Sequence, residues 1–120
     1  MKRTYKTKFT SNDLIDFAGI SGDTNPIHLS EEYAKKTIFK QRVVHGVLLI
    51  SMFSKIFGAV EGAIYLSQWA EFLLPAYIGD EITAKVTEEW KEGRRIGYIT
   101  ECFKGDTLIV NGGAEILMPK

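Results

Sequence analysis

A carboxylate and an imidazole stand five residues apart in Ser21-Gly22-Asp23-Thr24-Asn25-Pro26-Ile27-His28. Near neutral pH such a pair can hold a water molecule, one group taking a proton as the other gives one. Five is the wrong interval for a regular element: on a helix the two side chains diverge, and on a strand they fall on opposite faces. A turn is therefore required. Gly22, Asn25 and Pro26 supply it, because glycine admits unusual dihedrals, asparagine favours turns, and proline fixes its own backbone while restricting Asn25. An Asp followed five residues later by a His is nonetheless common, and by itself it describes an ordinary loop.

A second feature adds to the first. Val43-Val44-His45-Gly46 opens the most apolar helical pattern of the chain. A glycine at a helix N-terminus leaves backbone amides unobstructed where the dipole favours negative charge, which suits an oxyanion. The plainer reading gives Gly46 a packing role and His45 a place in the core or at an interface. Further along, the hydroxyls of Ser51 and Ser54 either bond back to the preceding turn or, for Ser54, orient Asp23 or a water. Cys102 has no histidine at a recognisable spacing and reads as a buried, inert thiol. Two histidines and one cysteine match no standard zinc spacing, and there is no Gly-rich phosphate loop, so neither a metal nor a cofactor is expected.

The elements that must position these residues divide the chain in two. Thr10 or Ser11 can cap a helix carrying Leu14, Ile15, Phe17 and Ala18 until Gly19 to Gly22 end it. Ser30 can cap a shorter helix over residues 31–38, with acids in its first turn and Lys35 and Lys36 near its end, as the dipole prefers. The third helix, over about 45–57, is apolar around nearly its whole circumference, with Lys55 its only charge, and is expected to be buried. Beyond it, residues 63–74, 81–90, 95–103 and 107–118 read as strands separated by Pro75, Gly79-Asp80, Glu92-Gly93 and Gly105-Asp106, the last two being hairpin signals. Residues 3–9 make a possible fifth strand. An antiparallel sheet wrapped around one apolar helix, an α+β architecture, buries both most simply.

With 120 residues, 45% hydrophobic and 25% charged, the chain is expected to form one domain over residues 1–120. Fifteen Lys plus Arg balance fifteen Asp plus Glu without a block of one sign, which argues against a nucleic-acid partner. The single cysteine points to a reducing cytoplasm. No signal core follows the basic N-terminus and no apolar run is long enough to span a bilayer, so no membrane association is expected. A domain this small has apolar surface that a second copy can cover, hence an expected homodimer or higher homo-oligomer.

The segment Phe17-Ala18-Gly19-Ile20-Ser21-Gly22-Asp23-Thr24-Asn25-Pro26-Ile27-His28, followed by Val44-His45-Gly46 and Leu48-Leu49, resembles the signature of the MaoC-like, (R)-specific enoyl-CoA hydratases. Ile64-Tyr65-Leu66-Ser67-Gln68, Phe72-Leu73-Leu74-Pro75 and Gly79-Asp80-Glu81-Ile82-Thr83-Ala84 extend the resemblance over nearly the whole chain. It implies a hot-dog fold that pairs into dimers, with active sites near the subunit interface. It also implies that Asp23 and His28 add water across the double bond of a 2-enoyl thioester carried by coenzyme A or acyl carrier protein, with the Gly46 amide on the thioester oxygen. Asn25 and Ser54 match supporting positions of that site. Two departures stand out: Trp69 falls where a small or polar residue is expected, as a pocket wall or dimer contact, and Phe57 falls where a smaller aliphatic residue is frequent. Phe57 would shorten the acyl tunnel and select short chains. A hot-dog thioesterase is the competing enzyme, and a non-catalytic acyl-thioester-binding subunit the competing reading from another class.

Overall fold

The computed structural model describes residues 2–120. The chain order is β1 (Lys2–Lys8), α1 (Ser11–Ser21), α2 (Pro26–Leu29), α3 (Glu31–Lys35), α4 (Gly46–Phe57), β2 (Ile64–Phe72), β3 (Glu81–Glu92), β4 (Arg95–Lys104) and β5 (Thr107–Leu117). All five strands form one antiparallel sheet in the order β1-β3-β4-β5-β2. The possible N-terminal strand is real, and it lies at one edge beside β3.

Period-two patterning makes one face of the sheet apolar. Ile82, Ala84 and Val86 of β3, Ile96, Tyr98 and Cys102 of β4, and Val110, Ala114 and Ile116 of β5 are buried. Gly93 and Gly105, with φ of 62° and 61°, form the two tight hairpins that keep these faces in register. Leu49, Met52, Phe53, Ile56 and Phe57 of α4 pack onto that face, which is the α+β arrangement of a sheet around a central helix. The burial of α4 is one-sided, however, and not the all-round burial expected from its composition. Val47 is 59% exposed, and Ser51, Ser54 and Lys55 are exposed as well, because the sheet reaches only one flank of the helix.

Thr10 caps α1 in a reciprocal box with Asp13. The helix expected over 31–38 is shorter, ending at Lys35, where Thr37 turns its hydroxyl back onto the Ala34 carbonyl at 2.7 Å and the chain unwinds. Among the described residues no helix is long and apolar enough to cross a membrane.

Candidate active site

Four local caps in succession fold the Asp23 to His28 segment. Gly22 ends α1 in the left-handed region at φ 78°, its amide on the Ala18 carbonyl at 2.9 Å. The Ser21 hydroxyl then accepts the Asp23 amide at 3.0 Å, and Asp23 Oδ1 accepts the Asn25 amide at 3.2 Å. Asn25 Oδ1 in turn accepts the Ile27 amide at 3.2 Å and caps α2, with Pro26 in the first helical turn. The turn required by the spacing thus contains a single helical turn, which brings His28 back towards Asp23. His28 Nε2 stands 3.7 Å from Asp23 Oδ2. That is too far for a direct hydrogen bond and short enough for both groups to hold one water.

The segment from Arg42 to His45 clamps this turn from the far side. The Val43 amide donates to the Ile27 carbonyl at 3.2 Å, and His28 Nδ1 lies 2.6 Å from the Val43 carbonyl. A carbonyl only accepts, so Nδ1 carries a hydrogen and Nε2 is left as the working nitrogen facing Asp23. Arg42 Nε donates to the His28 carbonyl at 2.8 Å, and Nη1 donates to the Ser11 hydroxyl at 2.8 Å. Arg42 is 8% exposed, and its guanidinium joins the His28 backbone to the start of α1 instead of meeting solvent. The clamp is tied to the connection between β2 and β3 by the Val44 amide, which donates to the Ala76 carbonyl at 2.8 Å.

Asp23, His28 and Gly46 line one cavity of about 490 Å³, whose remaining wall includes Phe39, Val47, Leu49, Phe72 and Leu74. His45, the N-cap of α4, makes no side-chain cap bond, so the first-turn amides of α4 are not blocked by a capping side chain. Gly46 also has a packing reason to be glycine, since a Cβ there would stand 2.9 Å from the Phe72 ring.

The other residues named from sequence take different places. Asn25 is exposed and acts as the α2 cap. Ser54 is exposed on α4 and is not part of the cavity wall. Phe57 is buried in the core, tilted against Tyr98 at 4.9 Å and edge-on to Tyr65 at 5.3 Å, and does not line this cavity. Phe39 and Phe72 are the aromatic residues that do. Trp69 is likewise no wall of this cavity: its indole covers Gly113, where a Cβ would meet Nε1 at 2.5 Å. Cys102 is fully buried, and burial pushes its thiol up to about 12, which keeps it protonated and unreactive.

Sequence reasoning passed over Arg42 and His45 as members of the site. His45 is 1% exposed, its Nε2 is 3.1 Å from the Asp23 carbonyl, and its ring stacks on His28 with centroids 3.9 Å apart. Its position directly before Gly46, between an apolar pair and the helix start, was the available signal. Asp23, His28 and His45 present potential ligand atoms within 4.8 Å of one another. A metal is nevertheless poorly served there. The two imidazoles are stacked at 22°, so their in-plane lone pairs run side by side, and one nitrogen of each ring is already bonded to a carbonyl.

Comparison with known proteins gives consistent results. Residues 1–108 match the family model described as a MaoC like domain. A 3-hydroxybutyryl-CoA dehydratase of Methylorubrum extorquens is 38% identical over 120 residues, covering 96% of this chain and 76% of that protein. An (R)-specific enoyl-CoA hydratase of Aeromonas caviae is 36% identical over 124 residues, covering 98% and 92% respectively. The solved structure of an (R)-hydratase from A. caviae involved in PHA biosynthesis superposes with a TM-score of 0.96 at 35% identity, over 99% of this chain and 95% of that one.

Proposed function

The chain belongs to the MaoC-like dehydratase family, and from that premise we propose that it is a hydro-lyase adding water reversibly to a trans-2-enoyl thioester to give the (R)-3-hydroxyacyl thioester. Asp23 Oδ2 and His28 Nε2, 3.7 Å apart on a cavity shared with Gly46, carry this assignment more than any other observation. Water held between the two loses a proton to one of them as its oxygen bonds to the β-carbon. The double-bond electrons move towards the carbonyl, and the enolate-like oxygen rests on the Gly46 amide, a preorganised donor of a kind worth about 10²-fold or more in rate. The pair then returns a proton to the α-carbon on the same face, so hydrogen and hydroxyl add syn.

Arg42 and Asn25 act through the backbone, by holding His28 and capping α2. The site operates as part of a single domain over residues 1–120, without metal or cofactor, in the cytoplasm, to which the free Cys102 is suited. The substrate acyl chain is short, because the Phe72 ring lies against Gly46 and limits the space beyond the reacting carbons.

The working form is a homodimer. β2 is an edge strand with only β5 beside it, and Ile64, Trp69, Phe72, Leu73 and Leu74 on and just after it are 47–55% exposed, continuous with the exposed Val47. A second copy pairing there would cover this surface and the exposed side of α4, Ser54 included. Sedimentation should give twice the chain mass, and a monomer at micromolar concentration would refute the dimer.

Incubation with crotonyl-CoA and with crotonyl-acyl carrier protein, following enoyl absorbance and free thiol together, tests the activity and the carrier. Loss of absorbance without thiol supports hydration. Thiol release would establish a thioesterase instead, and binding with neither change would leave an acyl-thioester-binding subunit.

A further inference from the structure

His45 is the one buried histidine, and its surroundings are specific on three sides. Nε2 is 3.1 Å from the backbone carbonyl of Asp23, one face stacks on His28 at 3.9 Å, and Phe17 meets the ring edge-on at 4.8 Å and 65°. Bonding to a carbonyl requires Nε2 to carry the hydrogen, which leaves a bare lone pair on Nδ1 in the neutral ring. Nδ1 is buried without a partner, so protonation would add a second buried N–H with no acceptor and place a cation against the face of His28. The pKa of His45 is lowered, first by burial, consistent with a ring held neutral.

The side chain is also turned away from the place an N-cap side chain normally takes. Ser, Thr, Asn or Asp at this position would fold an oxygen over the amides of the first turn. His45 points instead to Asp23 and leaves the start of α4 open, with no side-chain cap bond.

We infer that His45 is a positioning residue of the site, fixing the Asp23 backbone through Nε2–H and the ring plane of His28 through its own face, while leaving the α4 amides free for the substrate oxygen. This rests on the hydratase assignment above for its kinetic expression but not for its geometry. Asp23 and His28 enter from one segment, and Gly46 from another. His45 is the side chain that contacts both members of the pair and is joined covalently to Gly46, so it sets the distance between the acid-base groups and the oxyanion donor. Misplacement of a catalytic group by about 1 Å can cost about 10²-fold in rate.

Three variants separate the contributions. His45→Gln keeps an N–H near the Nε2 position and loses the aromatic face. His45→Phe keeps the face and loses the donor, and His45→Ala loses both. The expected pattern is a kcat reduced about 10²-fold in His45→Ala and about tenfold in each single-feature variant, with KM changed less than threefold. Circular dichroism and thermal melts of each variant give the folded fraction by which kcat is corrected. Imidazole ¹⁵N spectra supply a readout independent of turnover: His28 shows an Nδ1–H tautomer in the parent, and its signals shift or exchange-broaden in His45→Ala. Unchanged kcat per folded molecule in His45→Ala, or a loss wholly accounted for by unfolding, would overturn the inference. Should the parent show no hydration at all, the functional assignment fails, and unaltered His28 signals in His45→Ala would then overturn the positioning role separately.

Discussion

The two ends of α4 are built from similar apolar residues and serve opposite purposes. At the N-terminal end, Gly46 and Val47 open onto the cavity, no side chain caps the helix, and the neighbouring groups are a carboxylate, two imidazoles and a buried guanidinium. At the C-terminal end, Phe53, Ile56 and Phe57 are closed into a core with Tyr98 and the inner face of the sheet. One end leaves the first-turn amides without a capping side chain, and the other is closed by apolar contacts around the buried Tyr98 ring. Stability and reactivity are thus separated along a helix of twelve residues, and each end should respond to mutation in its own currency.

The largest effect expected is at the reactive end. Asp23→Asn and His28→Ala should each lower hydration of crotonyl-CoA by about 10²–10⁴-fold, the usual range for a lost acid-base group, with thermal midpoints close to the parent. A fully active mutant would overturn the site. At the other end, Phe53→Ala should lower unfolding free energy by about 3–5 kcal/mol in urea titration, since Phe53 is fully buried, yet leave kcat per folded molecule unchanged. A kcat loss there without unfolding would break the separation.

Smaller effects sharpen the comparison. Gly46→Ala keeps the backbone amide but drives a methyl to 2.9 Å from the Phe72 ring, so activity should fall by about tenfold through displacement of that ring. Gly46→Ala combined with Phe72→Leu should recover part of it, and no recovery would assign the loss to the amide itself. Phe72→Ala alone should raise kcat/KM for an eight-carbon enoyl-CoA relative to crotonyl-CoA, whereas an equal change at Phe57 would return the chain-length limit to the core.

The smallest effect concerns pH. Burial, the first cause, puts the folded pKa of His45 below its ordinary value of 6.5, with Asp23 and His28 the ionisable groups facing it. As pH drops from 6.5 towards that lower value, the unfolded chain binds a proton that the folded chain does not, so stability falls. Thermal midpoints measured from pH 7.5 to 5.5 should decline less in His45→Phe than in the parent.

Much of the fold could be read directly from residue pattern. Alternation in 81–90, 95–103 and 107–118 marked three strands to within two residues, and the hairpin glycines at 93 and 105 marked their turns. Thr10, Ser30 and Gly22 marked helix ends because a cap is chemistry between residues two to four apart. The one-turn helix α2 was hidden, since four residues are too few to display a period. Buried Arg42 was hidden for another reason. Nothing near it in sequence announces that its partners are Ser11 and the His28 carbonyl, 31 and 14 residues away.

The sequence by itself therefore determined which groups were available: an acid and an imidazole across a turn, a glycine opening an apolar helix, and alternating strands able to enclose it. Only the tertiary structure decided how they meet. Val43 returns beside Ile27 and sets the His28 tautomer, His45 stacks under that ring, and the end of β2 lays Phe72 across Gly46. Caps and periodicity are short-range interactions written into neighbouring residues, whereas these contacts depend on which distant segments the closed core brings side by side.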